Sequence, residues 1–357
     1  MNDDHRIDAE VIDAVGEVVQ RIRLAASALS GTVRLDAREE LTRRMMSTGW
    51  RPNGRVSAGG SCRLLRANDG SWIALNLARP EDVESLPALF ERELAINDGI
   101  APWSEIEQCI AESGAHMVRQ RAIDLGVPVA IVGERDAGSD LVEIGDHGRA
   151  DAIDSVRSLM VVDLSSMWAG PLVGRVFADL GARVVKVEST TRHDGARQGP
   201  PDFFAALNGG KEFRGFDFRS RTELDDLRRL IADADVVIES SRPRALAQLG
   251  VDRHEIMNTG SVRAWLSITA HGRSEADAMR VGFGDDAAAA GGLVRHTVDG
   301  PEFVGDAIAD PITGLVGAAA ILESLMSGRR NTIDVSLAGA AAHVAAGARD
   351  MLLSASN

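Results

Sequence analysis

The stretch Ile308-Ala309-Asp310-Pro311-Ile312 places a carboxylate where an apolar helix should begin. Asp310 falls at the N-cap and Pro311 at the first helical position. Ile312, Leu315, Val316, Ala319, Leu322 and Met326 then recur at helical spacing and form one apolar face. Two readings stay open on these residues alone. One is a capped core helix. The other is a reactive carboxylate beside free backbone N–H groups, which stabilise negative charge as it develops.

Other residues that could do chemistry are scattered. Arg192, Arg197, Lys211, Arg214, Arg219, Arg242, Arg244 and Arg280 populate the second half, several just after expected strands, where open α/β sheets bind ligands. His271 ends a strand before Gly272 and reads as a turn residue. Asp285-Asp286 opens a short helix; adjacent carboxylates point different ways, so capping is expected there, and no metal site. No His or Cys cluster accompanies them. Cys62 and Cys109 belong to no C-x-x-C pair and read as small buried thiols. Tyrosine is absent, which excludes it as acid, base or nucleophile.

These residues need elements to position them. In the second half, LMVVDLSS (159–166), RVVKVES (183–189), ADVVIESS and AWLSITAHG (264–272) are apolar runs fit for buried parallel strands, with helical segments between them. The 159–189 unit superficially resembles a dinucleotide site and ends in acidic Glu188. Its loop, Trp168-Ala169-Gly170-Pro171, lacks the G-x-G-x-x-G that lets a pyrophosphate approach, so a nicotinamide cofactor is not expected. In the first half, residues 8–30 read as an amphipathic helix. CRLLRA and SWIALNLA form a hairpin over Asn68-Asp69-Gly70, two helical regions follow, and VPVAIVG is a last strand. The polar EIGDHGRADAIDS (143–155) reads as a linker. The expected fold is α/β: an open parallel Rossmann-like sheet domain over 151–357 with a smaller α+β domain over 1–150 ahead of it.

Bulk composition narrows the classes. With 45% hydrophobic and 26% charged residues the chain can bury a sizeable core. A net charge of −14 argues against nucleic-acid binding, which rests on Lys and Arg neutralising phosphate. No apolar stretch of about 18 residues is read as a membrane span. The charged MNDDHRIDAE lacks a signal core, so a cytoplasmic protein is expected.

Five segments together resemble the class III CoA-transferases, the family of formyl-CoA and carnitine CoA-transferases and, as a branch, the α-methylacyl-CoA racemases. They are VVDLSSMWAGPLVGRVFADLGARVVKVE, DGARQGPPDFFAALNGGKEFRGFDF, ADVVIESSRPRALAQLGV, GFGDDAAAAGGLV and ADPITGLVGAAAILESL, in the family's order. The resemblance implies CoA transfer between an acyl-CoA and a carboxylic acid, with coenzyme A as substrate and no separate cofactor. It implies that Asp310 is the nucleophile. It implies CoA contacts at Trp168 and Ala169, at Phe216, Asp217, Phe218 and Arg219, at Ser240, Ser241 and Arg242, and at Arg280. It also implies a homodimer.

Four features depart from the family pattern. Two family arginines fall on Ser189 and Gln248. The racemase branch's histidine falls on Phe283, which cannot move a proton. The family's G-Y-D aspartate falls on Gly284, with Asp285 one step on. The sheet domain comes last in the chain, which resembles a circular permutation. Transfer is therefore favoured over a racemase-like isomerase, and a non-catalytic CoA-binding subunit is the other alternative.

Overall fold

Val11, Val15, Val18, Val19 and Ile22 recur every three to four residues and give α1 (Ala9–Ala28) one buried face. The computed structural model describes residues 7–138, 141–242 and 244–355. α2 (Ala37–Thr48) is capped by the Asp36 carboxylate, which accepts from the Glu39 N–H at 3.0 Å. β1 (Cys62–Arg66) and β2 (Trp72–Asn76) form the expected hairpin, with Gly70 at φ 84° in its turn. α3 (Pro80–Glu84), α4 (Leu86–Phe90), α5 (Trp103–Ala111) and α6 (Ala115–Leu125) lead to β3 (Val129–Ile131), which pairs with β2. Leu75, Leu86, Ile106 and Ile110 anchor a separate small core there.

The second half alternates strand and helix. β4 (Glu143–Arg149) is followed by β5 (Met160–Asp163), α7 (Ala169–Asp179), β6 (Arg183–Ser189), α8 (Pro201–Asn208), β7 (Glu212–Phe216), α9 (Arg221–Ala232) and β8 (Val236–Glu239). The short α10 (Ala245–Gln248) and α11 (Arg253–Thr259) lead to β9 (Ala264–Thr269) and α12 (Gly284–Ala290). A hairpin of β10 (Val294–Thr297) and β11 (Gly300–Phe303) precedes α13 (Ala309–Met326), β12 (Arg329–Ser336) and α14 (Leu337–Ala355). The main sheet runs β4-β12-β9-β8-β5-β6-β7, all parallel except the edge strand β4. The chain starts its parallel strands at β5, steps out to β6 and β7, then returns to β8 on the other side. This is the Rossmann order, with its switch point between β5 and β8. Val161, Val162, Val184, Val185, Val236 and Val237 are buried, as strands covered on both faces require.

Three expectations are corrected. The 143–155 linker contains β4, a polar strand that reads as loop because it lies at the sheet's edge with residues such as Glu143 and Ile144 exposed. The boundary near 150 divides the chain but not the core: α1 packs on α13 and α14, in the same apolar cluster as the sheet. The 18-residue α13 is, by length and composition, apolar enough to cross a membrane, yet 83% of it is buried inside the protein, as a core helix would be.

α13 lies close against α7 because it carries Gly314. A Cβ there would stand 2.7 Å from the Ala169 carbonyl oxygen and 2.9 Å from Leu172 Cδ2. Gly314→Val should therefore lower stability by about 2 kcal/mol through overpacking, read from the urea midpoint. A midpoint equal to the wild type's would mean that this close approach does not constrain the two helices.

Candidate active site

A cavity of about 190 Å³ opens at the C-terminal ends of β5, β8 and β9, where the sheet's connections diverge. The loop after β5 contributes Ser166 and Met167, the start of α7 contributes Ala169, and the segment just after β8 contributes Ser240, Ser241 and Arg242. The end of β9 adds Thr269, and the segment after it adds Ala270 and Gly272, then Arg280, Val281, Gly282 and Phe283. Asp310 closes the wall from the head of α13.

A buried ion network holds the loop after β5. Lys211 Nζ contacts Asp163 Oδ2 at 2.8 Å, the Pro171 carbonyl at 2.8 Å and Asn208 Oδ1 at 2.9 Å. Burial alone would raise the Asp163 carboxyl, but Lys211 and Lys186 outweigh it and hold it down at about 2. Lys186 Nζ pairs with Asp194 Oδ2 at 3.0 Å and donates to the Ser165 carbonyl. Asp194 Oδ1 in turn accepts from the Met167 N–H at 2.9 Å, while Ser240 Oγ accepts from the Ser166 N–H at 3.1 Å. Met167 is thereby kept at φ 70°, a left-handed conformation that costs a non-glycine residue on the order of 1 kcal/mol.

Asp310 sits in the first turn of α13, two positions inside the expected N-cap, because Ile308 occupies the N-cap. Its own N–H is already bonded to the Ala307 carbonyl at 2.9 Å. The side chain is half-buried and faces the cavity. The turn that launches it is tight, with Gly305 at φ 70° and Ala307 at φ 43°. Asp285 Oδ1 accepts from the Ala307 N–H at 2.9 Å, and Asp306 takes both arms of Arg44 at 2.5 and 2.7 Å. Asp286 Oδ1 accepts from the Phe283 N–H at 2.9 Å and from Asn76 Nδ2 at 2.8 Å, so it caps α12 as expected.

Burial dominates the electrostatics. It pushes Asp310 up to about 7; Arg44 opposes it, while Asp285, Asp286 and Asp306 add to it. Burial also lifts Asp286 to about 7, and burial with Asp306 nearby lifts Asp285 to about 6. Among the described residues no group of three or more His, Cys, Asp or Glu is arranged to hold a metal ion.

The family-implied residues divide. Ala169, Ser240, Ser241, Arg242, Arg280 and Asp310 meet at the cavity. Arg280 arrives with its charge engaged, bonded to Glu134 and to Asp277. Trp168 does not line the cavity. It is 2% exposed, with its ring edge-on to Phe203 at 4.7 Å and under the Arg44 guanidinium at 4.9 Å. Phe216, Asp217, Phe218 and Arg219 lie beyond the cavity at the end of β7. Phe216 is in the core, Phe218 packs on it, and Asp217 pairs with Arg219 at 2.9 Å. His271, expected as a turn residue, is 2% exposed and its Nε2 is buried without a partner. Arg44 and Asp306 went unread in the sequence, because their contact spans 262 residues and neither sits in a motif.

The raised carboxyl makes a stability prediction. Folded Asp310 holds its proton to about 7 against an ordinary 3.8, so the folded state binds more protons and stability falls as pH rises between those values. Asp310→Asn removes that penalty. It should be more stable than the wild type at pH ~8 by on the order of 1 kcal/mol, with the difference gone below about pH 4, by thermal melts across pH. Equal stability at both ends would contradict a desolvated carboxyl.

A sequence profile of CoA-transferase family III matches residues 157–353. The succinate–glutarate CoA-transferase of Agrobacterium fabrum is 31% identical over 199 residues, 50% of this chain and 50% of its own. The succinyl-CoA:glutarate CoA-transferase of Mus musculus is 29% identical over 186 residues, 49% of this chain and 43% of its own. Among solved structures, a CAIB/BAIF family protein from Brucella suis matches at 31% identity with a TM-score of 0.50, covering 57% of this chain and 58% of that one. The chain spans about half the length of these curated relatives. The profile covers more than half of the chain, including Asp310 and every cavity residue named above, and the chain belongs to CoA-transferase family III.

Proposed function

We propose that the chain transfers CoA between an acyl-CoA thioester and a free carboxylic acid, with Asp310 as covalent nucleophile. The observation that carries this is a half-buried carboxyl, raised to about 7, at the head of α13 and facing the cavity at the sheet's switch point. Family membership supports the reaction class. Ionised Asp310 attacks the thioester carbon; the C–S bond breaks, and CoA leaves as thiolate from a mixed anhydride. The thiolate attacks the Asp310 acyl carbon, releasing the donor acid and leaving an aspartyl-CoA thioester. The acceptor carboxylate attacks that thioester, and a second anhydride forms as thiolate leaves. Thiolate then takes the acceptor's acyl group, restoring the Asp310 carboxylate.

Ser240, Ser241 and Arg242 are proposed to contact CoA near the thioester, with Ala169 lining the same cavity. Both intermediates hydrolyse, so a small, half-closed cavity suits the chemistry. Phe283 lines the cavity where a racemase would need a base, which disfavours proton exchange at the α-carbon. A homodimer is part of the same proposal and follows from the family resemblance.

The test is incubation with acyl-CoA and hydroxylamine, then digestion and mass spectrometry. A hydroxamate at Asp310 is expected, absent from Asp310→Asn, with transfer reduced by about 1,000-fold or more. Full transfer activity in Asp310→Asn would remove the idea. Attack needs the ionised carboxylate, so the acylation rate should climb as pH rises through about 7 and then level off. A rate already flat from pH ~5 upward would show an ordinary, solvated carboxylate.

A further inference from the structure

We propose that Arg44, from the N-terminal α2, is the positioning residue of this site: it fixes the turn that launches α13 and sets a positive charge against Asp310. The inference rests on the reading of Asp310 as nucleophile. Three contacts point to Arg44. Its two arms hold both oxygens of Asp306, which is fully buried. Its guanidinium lies over Trp168 at 4.9 Å and near Phe203 at 5.8 Å, so it is stacked as well as paired. Asp306 is in turn the residue between Gly305 and Ala307, both at positive φ, in the turn that ends at Asp310. Asp285 grips the same turn from the other side through the Ala307 N–H.

Such a turn has little local reason to persist. Ala307 at φ 43° costs on the order of 1 kcal/mol, and the turn is held by its two side-chain contacts. Freeing the Asp306 end lets the first turn of α13 drift, and a drift of about 1 Å at a nucleophile costs up to about 100-fold in rate. The charge acts in parallel. Asp310 is faced by Asp285 and Asp286 from α12 and by Asp306 from its own turn, with Arg44 opposing them from α2. Arg242 and Arg280 line the same cavity, and Arg280 is bonded to Glu134 and Asp277. Arg44 outweighs each of the three aspartates at Asp310. Loss of Arg44 therefore leaves Asp310 protonated to higher pH.

The experiment compares Arg44→Lys, Arg44→Gln and the double variant Arg44→Gln/Asp306→Asn. The double variant leaves no orphaned charge at position 306, so it guards against misfolding caused by breaking the Arg44–Asp306 pair. The Asp310 carboxyl is titrated by NMR in protein labelled with aspartate carrying ¹³C at Cγ, assigned by its absence in Asp310→Asn, with no substrate present. The midpoint should move to higher pH in Arg44→Gln and in the double variant, and less in Arg44→Lys. For transfer at neutral pH, kcat should fall by about 10- to 100-fold with KM for acyl-CoA within about twofold. An unmoved midpoint, or an equal loss in Arg44→Lys and Arg44→Gln, overturns the proposal. A midpoint moved in the variants, together with no transfer by the wild type, would uphold Arg44's hold on Asp310 while sinking the transferase reading.

Discussion

Asp285, Asp286, Asp306 and Asp310 crowd the space at the head of α13, and keeping that much carboxylate out of water is the constraint around which this end of the protein is built. Burying an uncompensated carboxylate costs several kcal/mol, so each of the four needs either a partner or a proton. Asp306 has Arg44. Asp285 has the Ala307 N–H, and Asp286 has the Phe283 N–H and Asn76. The cost is shared, with Asp285 raised to about 6 and Asp286 and Asp310 to about 7, and of these three Asp310 is the one that lines the cavity. A raised carboxyl is also a more basic and hence better nucleophile once ionised. Electrostatic cost and reactivity share one origin.

The partners come from distant parts of the chain. Asn76 lies on β2 and Arg44 on α2, both in the first half, whereas the aspartates lie in the second. α1 packs on α13 and α14, so the N-terminal helices brace the helix that carries Asp310. The small three-stranded unit also reaches the cavity's rim: Glu134, just after β3, binds Arg119 and Arg280, and Arg135 lies 3.7 Å from Asp277. The site is assembled from both halves even though its cavity is lined by the second.

Sequence pattern revealed the elements whose signal is local. β5, β6 and β8 are valine-rich runs buried on both faces, and β6 falls at the expected 183–189. Asp310 was singled out only through the family resemblance that five motifs carry, since its helix alone favours a capped core helix; the structure places it at the cavity. β4 was not legible, because an edge strand of Glu, Asp, His and Arg carries no apolar alternation. α2 was missed for a similar reason: AREELTRRMMST is mostly charged, and Leu41 and Met45 are its few large buried apolar residues. Trp168, a CoA contact only by the family resemblance, is 2% exposed in the structure and packs against Phe203 and Arg44, long-range neighbours that no local pattern announces.

Gly284 shows how the cluster and the nucleophile fit together. A Cβ there would stand 2.4 Å from Asp310 Oδ2 and equally close to the Ala307 carbonyl. Any side chain at 284 would therefore displace the carboxyl or the turn that aims it. The family's aspartate falls on this position, and in this chain the acid stands one step on, at Asp285. At 285 the carboxylate accepts from the Ala307 N–H, in the turn that leads to Asp310. Space for the Asp310 carboxyl and support for its turn thus come from adjacent residues, one by lacking a side chain and the other by supplying one.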